Sequence, residues 1–375
     1  MNSNKAQFVC TVTGEKYPVT EPRWRSNEGY LLDLEFEAKF DLEKIKKRKP
    51  NLWRYREAIP ILQNEHIVSF DEGLTPLLPI EFGGKQALIK QEQNFSTGSY
   101  KDRGATVLLS LVKELGVTEV IQDSSGNAGC SIAAYAAKAG VSCAIYLPAD
   151  TAEPKIVQMR MYGAKIMRVP GNREDTANAA LKAATHTFYA SHCYNPFFHQ
   201  GTKTFAYEIC EQLGWKAPDA VVVPAGNGTM LIGCFIGFDD LLKAGIISKM
   251  PKLIAIQADN CSPLFQAYER GLNTFELVDT SHTLAEGIAI AAPVRGNQML
   301  KMVEKTKGKF FAVNEQEIKD SLLYCGKNGY YIEPTSAATI AGLRKYLKES
   351  GDELVVSLFS GHGLKSTDKI LKILG

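Results

Sequence analysis

The sequence predicts an α/β fold, an open and mostly parallel sheet covered by helices on both faces. Two patterns carry that expectation. Short apolar runs rich in valine and isoleucine, at 120–122, 141–147, 164–169, 220–223, 253–257 and 354–359, alternate with longer segments of helical spacing at 128–139, 176–187, 201–213 and 337–347. Strands buried on both faces read as such continuous runs, and the segments between them have the length of parallel crossovers. Glycine-rich loops follow two of these runs, and ligands of open α/β sheets gather at the carboxyl ends of the strands.

Residues 1–35 read as a small ribbon-like extension. Short extended pieces are separated by the turn signals Thr13-Gly14 and Asn27-Glu28-Gly29. Next comes the basic run 44–49, KIKKRK, beside Asp41 and Glu43, which reads as a solvated helix face. The segment 94–104, NFSTGSYKDRG, then places Lys101 after a Gly98-Ser99 turn and ahead of the apolar helical run 105–115. A lysine there can hold an aldehyde cofactor through its ε-amine, because the small residues let a ring approach the backbone. The competing explanation is a capping turn, with Ser99 as cap and Asp102 and Arg103 in solvent.

Three later segments favour the first explanation. SSGNAG, 124–129, opens the small-residue helix 130–139 and turns backbone amides toward one point, which suits a carboxylate. PAGNGTMLIG, 224–233, follows the run 220–223, and Gly226, Asn227, Gly228 and Thr229 can form a nest of donors for a phosphate. VVSLFSGHGLK, 355–365, places Ser360 at the end of a third apolar strand, and His362 reads as positional.

With these segments in hand the chain resembles the threonine synthase group of pyridoxal-phosphate enzymes, in the same fold type as the serine and threonine dehydratases and cysteine synthases. NFSTGSYKDRGA, SSGNAG, NPFFHQGTKTFAYE, PAGNGT, TLAEGIAI, EPTSAA and SGHGLK occur in the family's order and spacing over nearly the whole chain. The resemblance implies fold type II, with two open, mostly parallel sheets. It also implies a large domain of residues 36–85 and 195–375, a small mobile domain of 86–194, and a homodimer. Pyridoxal 5'-phosphate is the implied cofactor. Lys101 would hold it and act as catalytic base, Gly226, Asn227, Gly228 and Thr229 would bind its phosphate, Asn127 its 3′ oxygen, and Ser360 its pyridine nitrogen. A neutral hydroxyl at that nitrogen does not enforce protonation as a carboxylate would. Tyr100 would pack against the ring. Ser124, Ser125, Gly126, Asn127 and Ala128 are the implied cradle of the substrate carboxylate.

The implied activity is elimination or replacement at the β or γ carbon of a small amino acid, nominally O-phosphohomoserine to threonine. Two alternatives stay open: a serine/threonine dehydratase or β-replacement enzyme on a non-phosphorylated amino acid, and a cofactor-binding homologue without catalysis. The substrate is open because Cys193 and Phe198 stand where relatives commonly supply a serine and an arginine, and Met230 where an asparagine often follows the glycine loop. Lys155, Arg160, Arg168 and Lys203 are the cations that could replace the missing donors. Relatives often carry a zinc ribbon at the N-terminus, but only Cys10 is left here, so no structural metal is expected.

Composition narrows the class. The 375 residues carry a net charge of only +2, with 45% hydrophobic and 22% charged residues, which calls for neither nucleic acid nor an acidic membrane surface. No run reaches the ~18 apolar residues of a membrane span, and no signal-peptide core is visible. Eight scattered cysteines without a C-x-x-C pair fit buried free thiols and a cytoplasmic setting.

Overall fold

A computed structural model describes residues 6–151, 153–171 and 173–375. It contains three sheets. The first is antiparallel, with β1 (Gln7–Cys10) between β2 (Lys16–Pro18) and β3 (Leu32–Glu35). The second has six strands. In it β5 (Lys85–Lys90), β13 (Val355–Leu358), β10 (Ala220–Pro224), β11 (Lys252–Ala258) and β12 (Lys309–Val313) run parallel, and β4 (Leu77–Phe82) adds an antiparallel edge beside β5. The third has four parallel strands in the order β8 (Lys165–Val169), β7 (Ser142–Pro148), β6 (Glu119–Gln122) and β9 (Phe188–Tyr189).

The strands look as the apolar runs predicted. Every residue of β10 and β13 is buried. Successive side chains of a strand point to opposite faces, so both faces of that part of the sheet are covered. This is the α/β class expected, with two open, mostly parallel sheets and a ribbon at the N-terminus. One expected helix is divided: residues 201–213 fall in two pieces, Pro196–Thr202 and Thr204–Gln212. The carbonyl of Lys203 lies where a Cβ on Gly237 would come within 2.4 Å, so glycine is required there for close packing.

The chain folds into two compact units. One comprises the residues up to Gly73 together with Lys101–Thr202; the other comprises Leu74–Tyr100 and Lys203–Gly375. This division differs from the expected boundaries in three places. Residues 36–73 belong with the four-stranded sheet, because Leu52, Trp53, Ile59, Ile61 and Val68 join the apolar cluster of Val107, Leu108 and Leu111. Trp53 Nε1 donates to Thr106 Oγ1 at 3.0 Å and the Val68 amide donates to Ser110 Oγ at 2.9 Å. β5 belongs to the six-stranded sheet through its pairing with β13, Val356 opposite Leu88. Helix Pro196–Thr202 packs on the start of helix Lys101–Glu114, where a Cβ on Gly201 would come within 1.8 Å of the Arg103 carbonyl oxygen.

The ribbon packs by Phe8, fully buried, whose ring meets that of Phe197 edge to face at 5.7 Å. Cys10 Sγ accepts from the Thr13 amide at 3.4 Å. Among the described residues no three His, Cys, Asp or Glu side chains group as metal ligands, and no helix is long and apolar enough to cross a membrane.

Candidate active site

Lys101 is the first residue of helix Lys101–Glu114. Its Nζ lies 5.9 Å from the centre of the Phe198 ring. That ring lies against Gly104, three residues on and so on the same helical face, where a Cβ would come within 2.2 Å of it. The capping-turn explanation does not hold. Asp102 and Arg103 are buried rather than solvated, and the hydroxyl of Ser99 is buried without a hydrogen-bond partner. Asp102 Oδ1 accepts from Ser131 Oγ at 2.6 Å, which ties the lysine's helix to helix Asn127–Ala139. Sequence reading missed that tie; the only signal was a carboxylate inside the KDRG motif.

Helix Asn127–Ala139 follows β6 through the loop of Ser124, Ser125 and Gly126. Gly126 is its extended N-cap and offers no side chain, so no side-chain cap covers the first amides. Ala128 is buried, whereas Ser124, Ser125 and Asn127 are half-buried and Gly126 is exposed. The loop is tight: the Gly126 amide donates to Ser124 Oγ at 3.3 Å, and a Cβ on Gly129 would lie 1.9 Å from the Ser124 carbonyl oxygen. Only glycine fits at 129.

In the other unit, Ala225, Gly226, Asn227 and Gly228 connect β10 to helix Thr229–Lys243. Ala225 anchors the loop, its amide donating to the Ile256 carbonyl at 2.8 Å and its carbonyl accepting from Gln257 Nε2 at 3.0 Å. Gly228 is a left-handed N-cap at φ +75° without a side-chain cap bond, so the helix begins with its positive dipole end uncovered by a capping side chain. A Cβ on Gly226 would come within 2.9 Å of Ile288 Cα, and one on Gly228 within 2.0 Å of Met299 Sδ. Thr229 Oγ1 lies 3.0 Å from the hydroxyl of Tyr100. Tyr100 therefore has a polar partner at the glycine loop, beyond the ring packing expected of it.

Ser360, after β13, is fully buried, and its hydroxyl donates to Glu333 Oε1 at 2.8 Å. The Tyr100 amide donates to the Ser360 carbonyl at 3.1 Å, and the His362 amide to the Gly98 carbonyl at 2.9 Å, so the serine lies alongside residues 98–100. His362 Nδ1 accepts from the Leu364 amide at 3.2 Å.

The residues that left the substrate open are packed. Phe198 and Met230 are fully buried, and Cys193 is buried. Three of the four possible replacement cations are engaged by carboxylates. Arg160 and Arg168 both pair with Glu153, at 3.0 and 2.5 Å, and the buried Lys203 pairs with Asp240 at 2.9 Å. The side chain of Lys155 lies outside the described residues.

A lysine at the head of a helix, two glycine loops that each lead from a strand into a helix N-terminus, and open, mostly parallel sheets are features of the α/β class of proteins that bind small anions. The family model described as "Pyridoxal-phosphate dependent enzyme" matches residues 68–361. The chain is 37% identical to the threonine synthase of Methanocaldococcus jannaschii over 97% of this chain and 94% of that protein. It is 34% identical to the threonine synthase of Methanosarcina acetivorans over 97% and 93%. Among solved structures, the processed form of threonine deaminase isoform 2 from Solanum lycopersicum superposes with a TM-score of 0.69 at 20% identity, covering 90% of this chain and 91% of that one. Maize serine racemase superposes with a TM-score of 0.67 at 19% identity, covering 80% and 93%. These two show the fold alone.

The chain belongs to the pyridoxal-phosphate dependent enzyme family. Its residues fit that cofactor. The group carries an aldehyde, a phosphate and a pyridine ring, and the chain offers a primary amine at the head of a helix, a loop where glycines are sterically required at a helix N-terminus, and a buried hydroxyl. The buried hydroxyl of Ser99, a residue paired with Gly361, has no hydrogen-bond partner among the described residues and is a further polar atom for such a group.

Proposed function

We propose that the chain is a carbon–oxygen lyase with threonine synthase activity, releasing phosphate from O-phosphohomoserine and adding water at the β-carbon. The observation that carries this assignment is the 37% identity to a threonine synthase across 97% of the chain. Bound pyridoxal phosphate supplies an electron sink for negative charge on substrate carbons. Lys101 Nζ holds its aldehyde carbon and carries the proton taken from the substrate Cα. The amides of Gly226, Asn227 and Gly228, with Thr229, hold the phosphate, Asn127 the 3′ oxygen and Ser360 the ring nitrogen. The loop Ser124, Ser125, Gly126, Asn127 and Ala128 binds the substrate carboxylate. The same relationship supports a homodimer, which light scattering tests, and a cytoplasmic enzyme.

A second assignment, elimination from a non-phosphorylated amino acid, is favoured by Phe198. The centre of its buried ring lies 5.9 Å from Lys101 Nζ, and three of the four replacement cations are engaged by carboxylates. Each charge-assisted hydrogen bond lost from a substrate phosphate costs roughly 1.5 to 3 kcal/mol. A panel of O-phosphohomoserine, O-phosphoserine, O-acetylserine, serine and threonine decides, with release of phosphate, acetate and oxo-acid followed. Phosphate and threonine from phosphohomoserine support the first assignment; oxo-acid from threonine alone supports the second. Lys101→Ala lowers turnover by about 10²–10⁴-fold or more, and turnover unchanged in that variant overturns both.

A further inference from the structure

None of the residues assigned to the chemistry above comes from the N-terminal ribbon, yet one of its side chains packs behind the loop 124–128. Trp24, between β2 and β3, is only 8% exposed. Its ring meets that of Tyr189 edge to face at 5.2 Å and 85°, and that of Tyr194 at 5.3 Å and 87°. Ile121 of β6 and Ala144 of β7 belong to the same small apolar cluster. The Arg25 guanidinium lies over the Trp24 ring at 4.5 Å.

Tyr189, in β9, carries the contact onward. Its hydroxyl donates to Asp123 Oδ1 at 2.8 Å, and Asp123 directly precedes Ser124. The main chain is held at the same point: the Asp123 amide donates to Gln122 Oε1 at 2.8 Å, and Gln122 Nε2 donates to the Ala190 carbonyl at 2.8 Å. Burial raises the Tyr189 phenol well above its ordinary 10.0, so the hydroxyl keeps the proton it donates. The other end of the loop is fixed separately, through the hydrogen bond from Ser131 of its helix to Asp102. A tyrosine ring turns about two side-chain torsions, and its hydroxyl stays on one carboxylate oxygen only while packing holds the ring in place. We infer that Trp24 is a positioning residue: acting through Tyr189 and Asp123, it sets how residues 124–128 present their amides, and so strengthens the binding of a substrate carboxylate. This deepens the assignment of that loop made above and rests on it. A ribbon without a metal thereby bears on substrate affinity.

The test uses full-length protein loaded with pyridoxal phosphate and two probes, L-alanine and ethylamine, which differ by the carboxylate alone and carry no leaving group. Binding is read from the change in the cofactor's visible absorption, and the ratio of the two affinities measures recognition of the carboxylate. The wild type is expected to prefer L-alanine. Trp24→Ala and Tyr189→Phe are each expected to cut that preference about tenfold, because small displacements of positioned groups have effects of that order or larger. The double variant loses no more than either single one, since the tryptophan acts through the tyrosine hydroxyl. If Trp24→Ala does not fold, Trp24→Leu, which keeps apolar bulk without the aromatic edge, takes its place. A tryptophan that only supports folding would change stability while the folded, loaded fraction kept its preference. A preference unchanged in the Trp24 variant, or losses that multiply in the double variant, overturns this inference alone, because the wild-type preference still shows a carboxylate bound. Wild-type protein that binds L-alanine no better than ethylamine overturns the assignment of the loop and this inference with it.

Discussion

Buried charges are the residues on which this fold is most exposed to damage. Lys203 and Asp240 form one such pair, and Tyr207 adds a hydrogen bond to the same carboxylate oxygen at 2.5 Å. Taking a charged partner from a buried ammonium costs about 3–5 kcal/mol, so Asp240→Ala is expected to lose up to that much stability in urea unfolding. The pH dependence has a definite sign. Burial lowers the Lys203 ammonium from its ordinary 10.5, opposed by Asp240. The folded state thus holds fewer protons than the unfolded chain between the lowered value and 10.5, and stability rises with pH through that window. Without Asp240 the depression widens. The deficit of the variant therefore shrinks as pH is raised toward 10.5, and a deficit that stays constant refutes this account. Lys90 and Glu208, both fully buried at 2.9 Å, form a second such pair. Neither pair was legible in the sequence, where a lysine inside an apolar run says nothing of the carboxylate it will meet more than 30 positions away.

Elements were legible to the degree that burial was symmetric. The valine and isoleucine runs of β10, β11 and β13 marked strands because both faces are covered. β4, LLPIEF, escaped notice because it is an antiparallel edge with Pro79 and alternating exposure. The division at Lys203 was equally hidden, since the close contact of its carbonyl with Gly237 joins positions more than 30 residues apart. Contact between helix Lys101–Glu114 and Phe198 carries a prediction. An alanine in a helix interior is ordinarily better than glycine by about 1 kcal/mol, but at 104 its Cβ would come within 2.2 Å of the Phe198 ring. Overpacking of this kind costs about 1–3 kcal/mol. Gly104→Ala should therefore destabilise the chain with Phe198 present and cost nothing, or stabilise it, in a Phe198→Ala background. A double-mutant cycle by denaturant unfolding measures the coupling, and additive effects would count against the packing described.

At the level of the whole molecule, motif order fixed the family, while the partition into units was not readable from periodicity. Residues 36–73 were expected in the larger domain, yet Trp53 and Val68 reach Thr106 and Ser110, and that packing decides their allegiance. The loops of the candidate site were legible as turns into helices, because glycines stand between an apolar run and a helical segment at 124–129 and 224–233. The site was not legible at Glu333, because its contact with Ser360 comes from two chain segments 27 residues apart meeting beside β13. All eight cysteines are free and buried, four in each unit, and burial pushes the thiols of Cys143, Cys210 and Cys325 up to about 12. Thiolate, the form that alkylating reagents attack, is therefore scarce until the backbone opens. The molecule consequently carries its own stopwatch: pulses of iodoacetamide read by peptide mass should mark Cys143 and Cys210 only as fast as their surroundings breathe, timing each half from within, and rapid marking in buffer alone would show those interiors to be looser than drawn.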